Sequence, residues 1–483
     1  MYKKNDVIQL EISTLGSEGE AIGKIDGFPF FVRGAVPGDV IEAGVTKVKR
    51  NMAFARLIKL IEASPDRVEA ACPYFGKCGG CQLMNMTYDA QLKYKEEKVK
   101  NDLIRIGGID KAEVEKAYAG IIPAKEVFHY RNKEQYPFGE DKDGNTVCGF
   151  YAYHSHRIIE QTDCLLGNEE NSLILEKIKE WMKECGLSSY DETSGKGYLR
   201  HVMIRKGNLT DEIMVCLVVN AKKFKGSEVL IGKLKDISGM TSISFSSNTE
   251  NTNVIMGDNS TLLWGSERIR TVIESDNGNI EYALSPLSFY QVNSEQTQRL
   301  YSKALEYAEL NGNETVWDLY CGIGTISLFL AKKAKKVFGV EIVPQAIEDA
   351  KANAKLNDIN NAEFICGAAE EVLPEYYKDT AEKPDVVVVD PPRKGCDKSC
   401  LDTIIKASPD RIVYVSCDPA TLARDTKYLC ENGYKLQEYA PCDMFPNSFH
   451  VEVCCLLERL RSAKDHIEIS IDADDYYRIK DNK

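Results

Sequence analysis

The spacing of hydrophobic and polar positions changes twice along the chain and divides it into three parts. Residues 1–62 show short apolar–polar alternations that glycines and a Pro-Gly turn interrupt. Closely spaced strands with turn signals predict a small β-barrel, of the five-stranded kind that commonly binds nucleic acid. We expect this first domain to end at residue 62, before a linker that leads into a group of cysteines.

Residues 63–284 mix helical and strand patterns without a regular repeat. The stretch 88–108 has an amphipathic period and ends in two glycines, which predicts a helix. Two apolar runs, 201–207 and 212–220, predict a pair of strands. We therefore expect a central α+β domain here, although the pattern does not fix the order of its strands.

From residue 285 to residue 460, apolar β-rich runs alternate regularly with helical segments. The runs "TVWDLY", "KVFGVEIV", "DVVVVD" and "IVYVSC" are separated by amphipathic stretches. This alternation predicts a parallel, doubly wound α/β sheet whose ligands bind beyond the carboxyl ends of its strands. Five residues of chemical interest stand at those ends: Asp318, Tyr320, Glu341, Asp390 and Cys417.

The composition is that of a globular protein, with 43% hydrophobic and 28% charged residues. No apolar run approaches the roughly 20 residues that span a membrane. The first residues lack the apolar segment of a signal peptide, so we expect the protein to be cytoplasmic. In that reducing compartment the 16 cysteines are expected to act as thiols, metal ligands or catalysts rather than as disulfides.

The net charge of −13 argues, taken alone, against a nucleic-acid partner. The cations are nevertheless clustered. The stretch 46–59 contains five basic residues and no acid, and the stretch 128–139 interleaves His129, Arg131 and Lys133 with aromatic residues. Each stretch by itself is more typical of a solvated face, but together with a barrel they favour a surface that binds RNA.

The sequence "DLYCGIGTISL" places Gly322 and Gly324 between a strand and a helix, where a glycine turn lets backbone N–H groups approach a ligand. Glu341 follows 17 residues after Gly324, and an acid there can accept hydrogen bonds from ribose hydroxyls. Ser327 takes the place of the third glycine of the dinucleotide fingerprint. The pattern therefore favours a smaller nucleoside ligand such as S-adenosylmethionine. In "DPPRKG" the two prolines leave few donors, so Asp390 is expected to face the same crevice.

Cys417 stands between an apolar strand and a helix that Asp418 caps and Pro419 begins. The positive end of a helix dipole lowers a thiol pKa, so we predict that Cys417 is a nucleophile. Glu452 lies in an alternating strand and shares a face with His450 and Cys454. Burial there would raise the pKa of Glu452 and suit a general base, but an exposed edge position is equally compatible with the pattern.

Cys72, Cys78 and Cys81 form a C-x5-C-x2-C group. Three thiolates at this spacing predict a zinc ion or an iron–sulfur cluster, and the spacing does not choose between them. The fourth ligand must come from elsewhere in the chain, and both Cys148 and Cys164 are candidates.

Five separated segments together resemble one protein family: "DLYCGIGT", "GVEIV", "DPPRKG", "SCDPATLARD" and "DMFPNSFHVE". In this order they are similar to the RNA uracil-C5-methyltransferases that act on large-subunit ribosomal RNA, a branch with an N-terminal OB-like TRAM barrel. The resemblance extends to about residue 460, and residues 461–483 lie outside it and receive no role. Asp418 replaces the asparagine that is usual in the family, which leaves the helix cap intact.

The resemblance implies a Rossmann-like domain that binds S-adenosylmethionine, with Cys417 as nucleophile and Glu452 as base. It implies that Gln291, Tyr320, Glu341 and Asp390 contribute to the cofactor or substrate site. It further implies a [4Fe–4S] cluster in the central domain, whose four cysteine ligands would be Cys72, Cys78, Cys81 and Cys164, with Cys164 preferred over Cys148.

The function implied is transfer of a methyl group to C5 of a uridine in 23S rRNA, through a covalent adduct of Cys417 at uracil C6. The expected partner is RNA rather than DNA or a membrane, and the expected state is a monomer. Three alternatives remain open. They are the same reaction on tRNA, a non-catalytic RNA-binding protein with this fold, and an iron–sulfur redox enzyme, which would lack the usual C-x3-C-x2-C radical signature.

Overall fold

The computed structural model describes residues 2–380 and 383–460. The segment 461–483, to which the sequence assigns no role, lies outside the described residues. The described chain folds into an N-terminal barrel, a central mixed sheet and a C-terminal α/β sheet.

The barrel predicted from the first alternations is confirmed. It closes in the strand order β1-β2-β3-β5-β4, and only the β3–β5 pair is parallel. Its interior is filled by alternate residues such as Leu10, Phe30 and Ile41, none of which is more than 1% exposed. The strands are β1 (Val7–Leu15), β2 (Ala21–Ile25), β3 (Phe28–Arg33), β4 (Val40–Val48) and β5 (Ala53–Glu62).

The central part contains a seven-stranded sheet in the order β12-β11-β10-β9-β6-β7-β8. The predicted pair of strands is confirmed as antiparallel β9 and β10, whereas β10 and β11 are parallel. The elements are α1 (Tyr88–Arg105), α2 (Lys111–Ala117), β6 (Lys133–Glu140), β7 (Thr146–Tyr151), β8 (Ile158–Glu160), α3 (Glu170–Glu184), β9 (Leu199–Lys206), β10 (Ile213–Val219), α4 (Ser227–Leu234), β11 (Met240–Ser247) and β12 (Ser260–Gly265).

The C-terminal part is a second seven-stranded sheet in the order β17-β16-β15-β18-β19-β21-β20, preceded by the hairpin of β13 and β14. Five strands are parallel as predicted, and β21 runs antiparallel to both neighbours. The elements are β13 (Ile269–Ile273), β14 (Ile280–Leu284), α5 (Ser294–Ala308), β15 (Thr315–Leu319), α6 (Thr325–Ala331), β16 (Lys336–Glu341), α7 (Pro344–Leu356), β17 (Ala362–Cys366), α8 (Ala369–Thr380), β18 (Val386–Val389), α9 (Lys398–Ala407), β19 (Arg411–Ser416), α10 (Pro419–Glu431), β20 (Tyr434–Cys442) and β21 (Glu452–Arg459).

Helix α1 belongs to the early part of the chain but packs against the C-terminal sheet. Thr87 caps its first turn, and its buried residues Val99 and Leu103 join the core formed around α10 and β20. The predicted amphipathic helix is therefore confirmed, and its apolar face covers the C-terminal sheet. None of the helices in the described residues is long and apolar enough to cross a membrane.

Candidate active site

The strand ends that the sequence singled out meet at one edge of the C-terminal sheet. Asp318, Glu341, Asp390 and Cys417 lie at the carboxyl ends of the parallel strands β15, β16, β18 and β19. Because β21 runs the opposite way, its first residue, Glu452, lies at the same edge. Strand order reverses around β15 and β18, and such a reversal is where ligands bind in α/β sheets.

The register of β19 and β21 brings Cys417 and Glu452 together. Ser416 pairs with Val453, so the next residues of the two antiparallel strands, Cys417 and Glu452, stand opposite each other. A thiol and a carboxyl group, separated by 35 residues in sequence, thus share one side of the crevice.

Cys417 occupies the turn before α10, as the sequence predicts. The carboxylate of Asp418 accepts backbone hydrogen bonds from Ala420 and Thr421, at 2.9 and 3.2 Å. The predicted lowering of the thiol pKa is wrong. Burial first, and then the negative charges of Glu452 and Asp390, raise the pKa of Cys417 to about 12. Removal from water and two nearby carboxyl groups outweigh the partial charge of the helix end.

Glu452 is buried rather than at an exposed edge, which decides between the two alternatives left by the sequence. Glu452 is only 2% exposed, and its Oε2 has no hydrogen-bond partner within the described residues. Burial and the neighbouring charge of Asp390 raise the pKa of Glu452 to about 8. Such a carboxyl group gains or loses its proton close to neutral pH, as a general base must.

Asp390 is a second buried acid near Glu452. Burial raises its pKa to about 7. The charge of Asp390 contributes to raising the pKa of Glu452, so Glu452 holds its proton more tightly once Asp390 is ionised.

Arg393 is a residue of this site that sequence reasoning missed. It lies in the loop after β18, and its positive charge lowers the pKa of both Cys417 and Glu452 against the larger effect of burial. The signal was present in the sequence, since Arg393 stands three residues after Asp390 in "DPPRKG". The positive charge of Arg393 therefore favours the ionised form of the thiol or of one of the two carboxyl groups.

Besides the crevice at Cys417, a cavity of about 550 Å³ opens around Glu341, on the other side of this edge of the C-terminal sheet. Backbone N–H groups of Gly322 and Val343 donate to the two carboxylate oxygens of Glu341, at 3.2 and 3.0 Å. Phe289 also lines the cavity and is 71% exposed. An orientated acid between a glycine turn and exposed apolar side chains fits a purine nucleoside, whose ribose is polar and whose base is flat.

Asp318 was recognised at a strand end but was not predicted as a site residue. It is fully buried, and the hydroxyl of Ser327 donates to its Oδ2 at 2.5 Å. Its Oδ1 has no partner within the described part of the chain. Burial raises the pKa of Asp318 to about 7. Ser327, which replaces the third glycine of the dinucleotide fingerprint, therefore serves to hold this acid.

Gln291 and Tyr320 lie near the edge but are not among the described residues that line the cavity around Glu341. Gln291 is 7% exposed, and its backbone carbonyl accepts a hydrogen bond from Asn132 at 2.8 Å. Tyr320 follows β15 with a left-handed φ of 70°, and its backbone N–H donates to Val340 at 2.9 Å. The tyrosine ring packs against the helical core, where burial raises its pKa.

The four cysteines preferred by the sequence line one cavity of about 210 Å³. Burial, and then the proximity of Cys78 and Cys72, raise the pKa of Cys81 to about 12. Cys148 instead lies in the core of the central sheet. Among the described residues, no group of three or more histidine, cysteine or acidic side chains is arranged to hold a single metal ion. The cavity members are Cys72, Cys78, Cys81 and Cys164, together with Arg131, Arg393, Phe445 and His450 among others.

The loop 443–451, which leads into Glu452, is fixed by helix α1. Asp443 is fully buried and forms an ion pair with Lys95 of α1, which is also fully buried. The hydroxyl of Tyr88 donates to the same carboxylate at 2.8 Å. This pair joins residues 348 positions apart and was not foreseen from the sequence.

The two basic stretches are placed differently. The five cations of 46–59 are exposed on β4, β5 and their connection. In the second stretch only His129 is exposed, whereas Arg131 lines the cysteine cavity and burial, with Arg205 nearby, lowers the pKa of Lys133 to about 7. The exposed cations of the barrel are Lys47, Lys49, Arg50, Arg56 and Lys59.

Comparison with known proteins identifies relatives of the whole chain. A family model described as tRNA (Uracil-5-)-methyltransferase matches residues 242–460, and a TRAM domain model matches residues 3–58. An uncharacterised RNA methyltransferase of Halalkalibacterium halodurans is 49% identical over 456 residues, which cover 94% of this chain and 97% of that protein. A similar protein of Clostridium tetani is 48% identical with the same coverage.

One solved structure is similar over nearly the whole length. It is the tRNA (uracil-54, C5)-methyltransferase of Pyrococcus abyssi, in complex with S-adenosyl-L-homocysteine. The TM-score is 0.75 and the sequence identity is 30%, over 93% of this chain and 100% of that chain.

Proposed function

This chain belongs to the S-adenosylmethionine-dependent RNA (uracil-5-)-methyltransferases that carry a TRAM domain, and from that premise we propose that it methylates C5 of a uridine in 23S rRNA through Cys417 and Glu452. The observation that carries this assignment of roles is the position of the two residues directly beyond the Ser416–Val453 pair of β19 and β21, close enough for the charge of Glu452 to raise the pKa of Cys417. A nucleophile and a proton acceptor on adjacent strands can reach neighbouring atoms of one pyrimidine ring.

The chemistry requires both residues because C5 of uracil is too weak a nucleophile to be methylated directly. The sulfur of Cys417 adds to C6, its proton passes to a neighbouring carboxyl group, and electron density moves to C5. S-adenosylmethionine, when bound, supplies an electrophilic methyl group on a sulfonium. Glu452 then removes the proton from the methylated C5, and the C6–sulfur bond breaks to restore the ring and the cysteine.

Burial of the reacting groups supports this order of events. The thiol of Cys417 is neutral in the free protein, so the thiolate forms only as it attacks. Arg393 is the cation that offsets the charge at that moment. The target base must leave its stack to reach a crevice this deep.

The cavity around Glu341 is the proposed site for the methyl donor. Glu341 would accept hydrogen bonds from the ribose hydroxyls, and the backbone of Gly322 lies beside it. The fit is supported by the fixed carboxylate of Glu341, whose two oxygens accept hydrogen bonds from backbone N–H groups of Gly322 and Val343. Gln291, Tyr320 and Asp390 are proposed to contact the donor or the uracil edge, as the family resemblance implies.

We further propose that Cys72, Cys78, Cys81 and Cys164 hold a [4Fe–4S] cluster. The cavity offers four thiols, and the buried Nε of Arg131, which has no partner in the described residues, suits a negatively charged group. Because its ligands are far apart in sequence and the reaction is redox-neutral, such a cluster would clamp the central domain rather than transfer electrons.

A second candidate substrate is tRNA, which the Pyrococcus abyssi structure favours. That structure matches 93% of this chain, and the unmatched 7% is shorter than the 62-residue barrel, so the match includes at least part of the barrel. The presence of a barrel therefore does not by itself select ribosomal RNA over tRNA. The exposed cations of the barrel are proposed to hold phosphates of either RNA.

The test is covalent trapping on RNA that contains 5-fluorouridine, whose C5 fluorine cannot be removed as a proton. We expect a protein–RNA band on a denaturing gel with 23S rRNA fragments, and no band for Cys417→Ala. Cys366→Ala is the matched control, since Cys366 is an exposed thiol at the end of β17. A band with tRNA but not with 23S rRNA would transfer the assignment to tRNA, and a band retained by Cys417→Ala would refute the role of Cys417.

A further inference from the structure

A groove of about 790 Å³ on the central domain is not used by the chemistry described above. Its lining is rich in flat side chains and contains few apolar anchors. Three tyrosines, three histidines, Glu192 and Arg200 form its walls, and the polar segment 251–253 forms part of its rim. The flat side chains are Tyr151, Tyr153, Tyr190, His154, His156 and His201.

Two of these rings are held in place by polar contacts, Tyr153 with the barrel and Tyr151 with Glu192 of the groove wall. The hydroxyl of Tyr153 donates to Glu18 of the barrel at 3.0 Å, and the guanidinium of Arg33, also in the barrel, lies 3.3 Å from the centre of the Tyr153 ring. The hydroxyl of Tyr151 donates to Glu192 at 3.1 Å. Arg33 covers one face of the Tyr153 ring, so only the rest of that ring can meet a ligand, but the ring is held rigid and loses little side-chain entropy on binding.

The rings also lie close to one another. The centres of the Tyr153 and His154 rings are 4.0 Å apart, and those of Tyr151 and His156 are 5.2 Å apart. His154 and His156 are exposed to solvent. Tyr151 and Tyr153 are half-buried, whereas Tyr190 and His201 are buried, so the accessible flat groups are the two histidines and the open parts of two tyrosines. Such groups suit unstacked bases rather than the closed surface of a duplex.

The groove is continuous with the reaction edge through the cysteine cavity. Gly80 and Phe150 line both spaces, and the cysteine cavity extends to Arg393 and His450. The backbone is packed tightly at this junction, since Gly79 donates to the carbonyl of Tyr151 at 2.9 Å and a Cβ at Gly79 would meet the Tyr153 backbone at 3.1–3.2 Å. Because the cysteine cavity is the proposed cluster site, an RNA strand that leaves the crevice at Arg393 would run across the rim of that cavity toward the groove, and not through it.

We propose that this groove binds the single-stranded RNA that flanks the target uridine, by stacking bases on Tyr153 and His154. The inference rests on the proposed function, because it takes the occupant to be the same RNA. The groove itself supplies few free cations, so the contribution expected from it is stacking rather than phosphate binding. Phosphates of the same strand would meet the exposed cations of the barrel.

The experiment measures the affinity of the full-length protein for a fluorescent single-stranded RNA carrying the target uridine and both flanks, by anisotropy. We expect Tyr153→Leu and His154→Ala to weaken binding about tenfold each, the value of one lost base stack. Tyr153→Phe keeps the ring and should bind as the wild type does. Tyr428→Leu is the matched control, since Tyr428 lies on α10 and is not part of the groove lining.

A second measurement keeps the result independent of folding and of catalysis. RNA with 5-iodouridine in either flank is cross-linked by light, and the peptide 150–156 is expected to carry the cross-link. Unchanged affinity of Tyr153→Leu, or cross-links confined to the barrel, would overturn the proposal. The groove variants should still form the adduct with saturating 5-fluorouridine RNA. If the wild type forms no adduct, the proposed function is refuted, whereas the affinity and cross-linking results alone decide whether the groove binds RNA.

Discussion

Glu452→Gln is expected to stabilise the folded protein increasingly as the pH rises from about 5 to about 8. The carboxyl group is 2% exposed, and burial raises its pKa from the ordinary value of 4.5 to about 8. The folded state therefore holds this proton more tightly than the unfolded state, so wild-type stability falls as the pH rises from 4.5 toward 8 and falls no further above 8. Glutamine has the shape of the protonated side chain and does not titrate.

The magnitude follows from the same two values. A carboxyl group that is ionised in the unfolded chain and protonated in the folded protein costs about 1.4 kcal/mol per pH unit. Between about pH 5.5 and pH 7.5 the stability of Glu452→Gln should thus gain about 2.5 kcal/mol on the wild type.

The assay is urea unfolding of both proteins at several pH values, with hydrogen exchange of peptides from β21 to identify the transition of this sheet. Glu458→Gln is the matched control, since Glu458 lies on the same strand but is not fully buried. A stability difference between Glu452→Gln and wild type that does not vary with pH would refute the assignment of a buried, protonated carboxyl group. The same variant should accumulate the covalent adduct on ordinary RNA, because the C5 proton then has no acceptor.

Three further outcomes are expected. The pH profile of kcat/KM should rise up to about pH 8, because Glu452 must lose its proton before it can accept one from C5, and a profile flat from pH 6 would argue against this base. Lys95→Met should lower the stability of the C-terminal sheet by about 3–5 kcal/mol in urea unfolding, because it leaves the buried carboxylate of Asp443 unpaired. Asp443→Asn in the same chain should recover part of that loss. Cys164→Ser should reduce the iron content of the purified protein and its absorbance near 400 nm, measured anaerobically, whereas Cys148→Ser, a substitution in the core, should leave both unchanged per folded molecule.

Much of the C-terminal sheet could be predicted because its strands are local and buried on both faces. Runs such as 386–389 are continuously apolar, and an acid or a cysteine follows each one at the same edge. Periodicity alone therefore brought Asp318, Glu341, Asp390 and Cys417 to one end of the sheet. The reversed direction of β21, which brings Glu452 to them, depends on pairing between distant strands and left no local signal.

Apart from Arg393, whose position in "DPPRKG" was a local signal, the features that sequence reasoning missed depend on contacts between distant segments. The pKa of Cys417 follows the burial of the thiol and the position of Glu452, neither of which a helix-capping pattern records. The ion pair of Lys95 with Asp443 looks in the sequence like two ordinary surface charges. In the central sheet, β10 pairs in parallel with β11 across helix α4, and alternation of apolar residues does not encode that order.

The walls of the cysteine cavity come from opposite ends of the polypeptide. Cys72 and Cys78 are synthesised early, whereas Phe445 and His450 close the same space only when the last strands emerge from the ribosome. During translation the thiols therefore stand open for most of the time that the chain is being made. Until the loop 443–451 is in place the cavity lacks one wall, and because that loop leads into Glu452, closing the cavity also positions the buried acid.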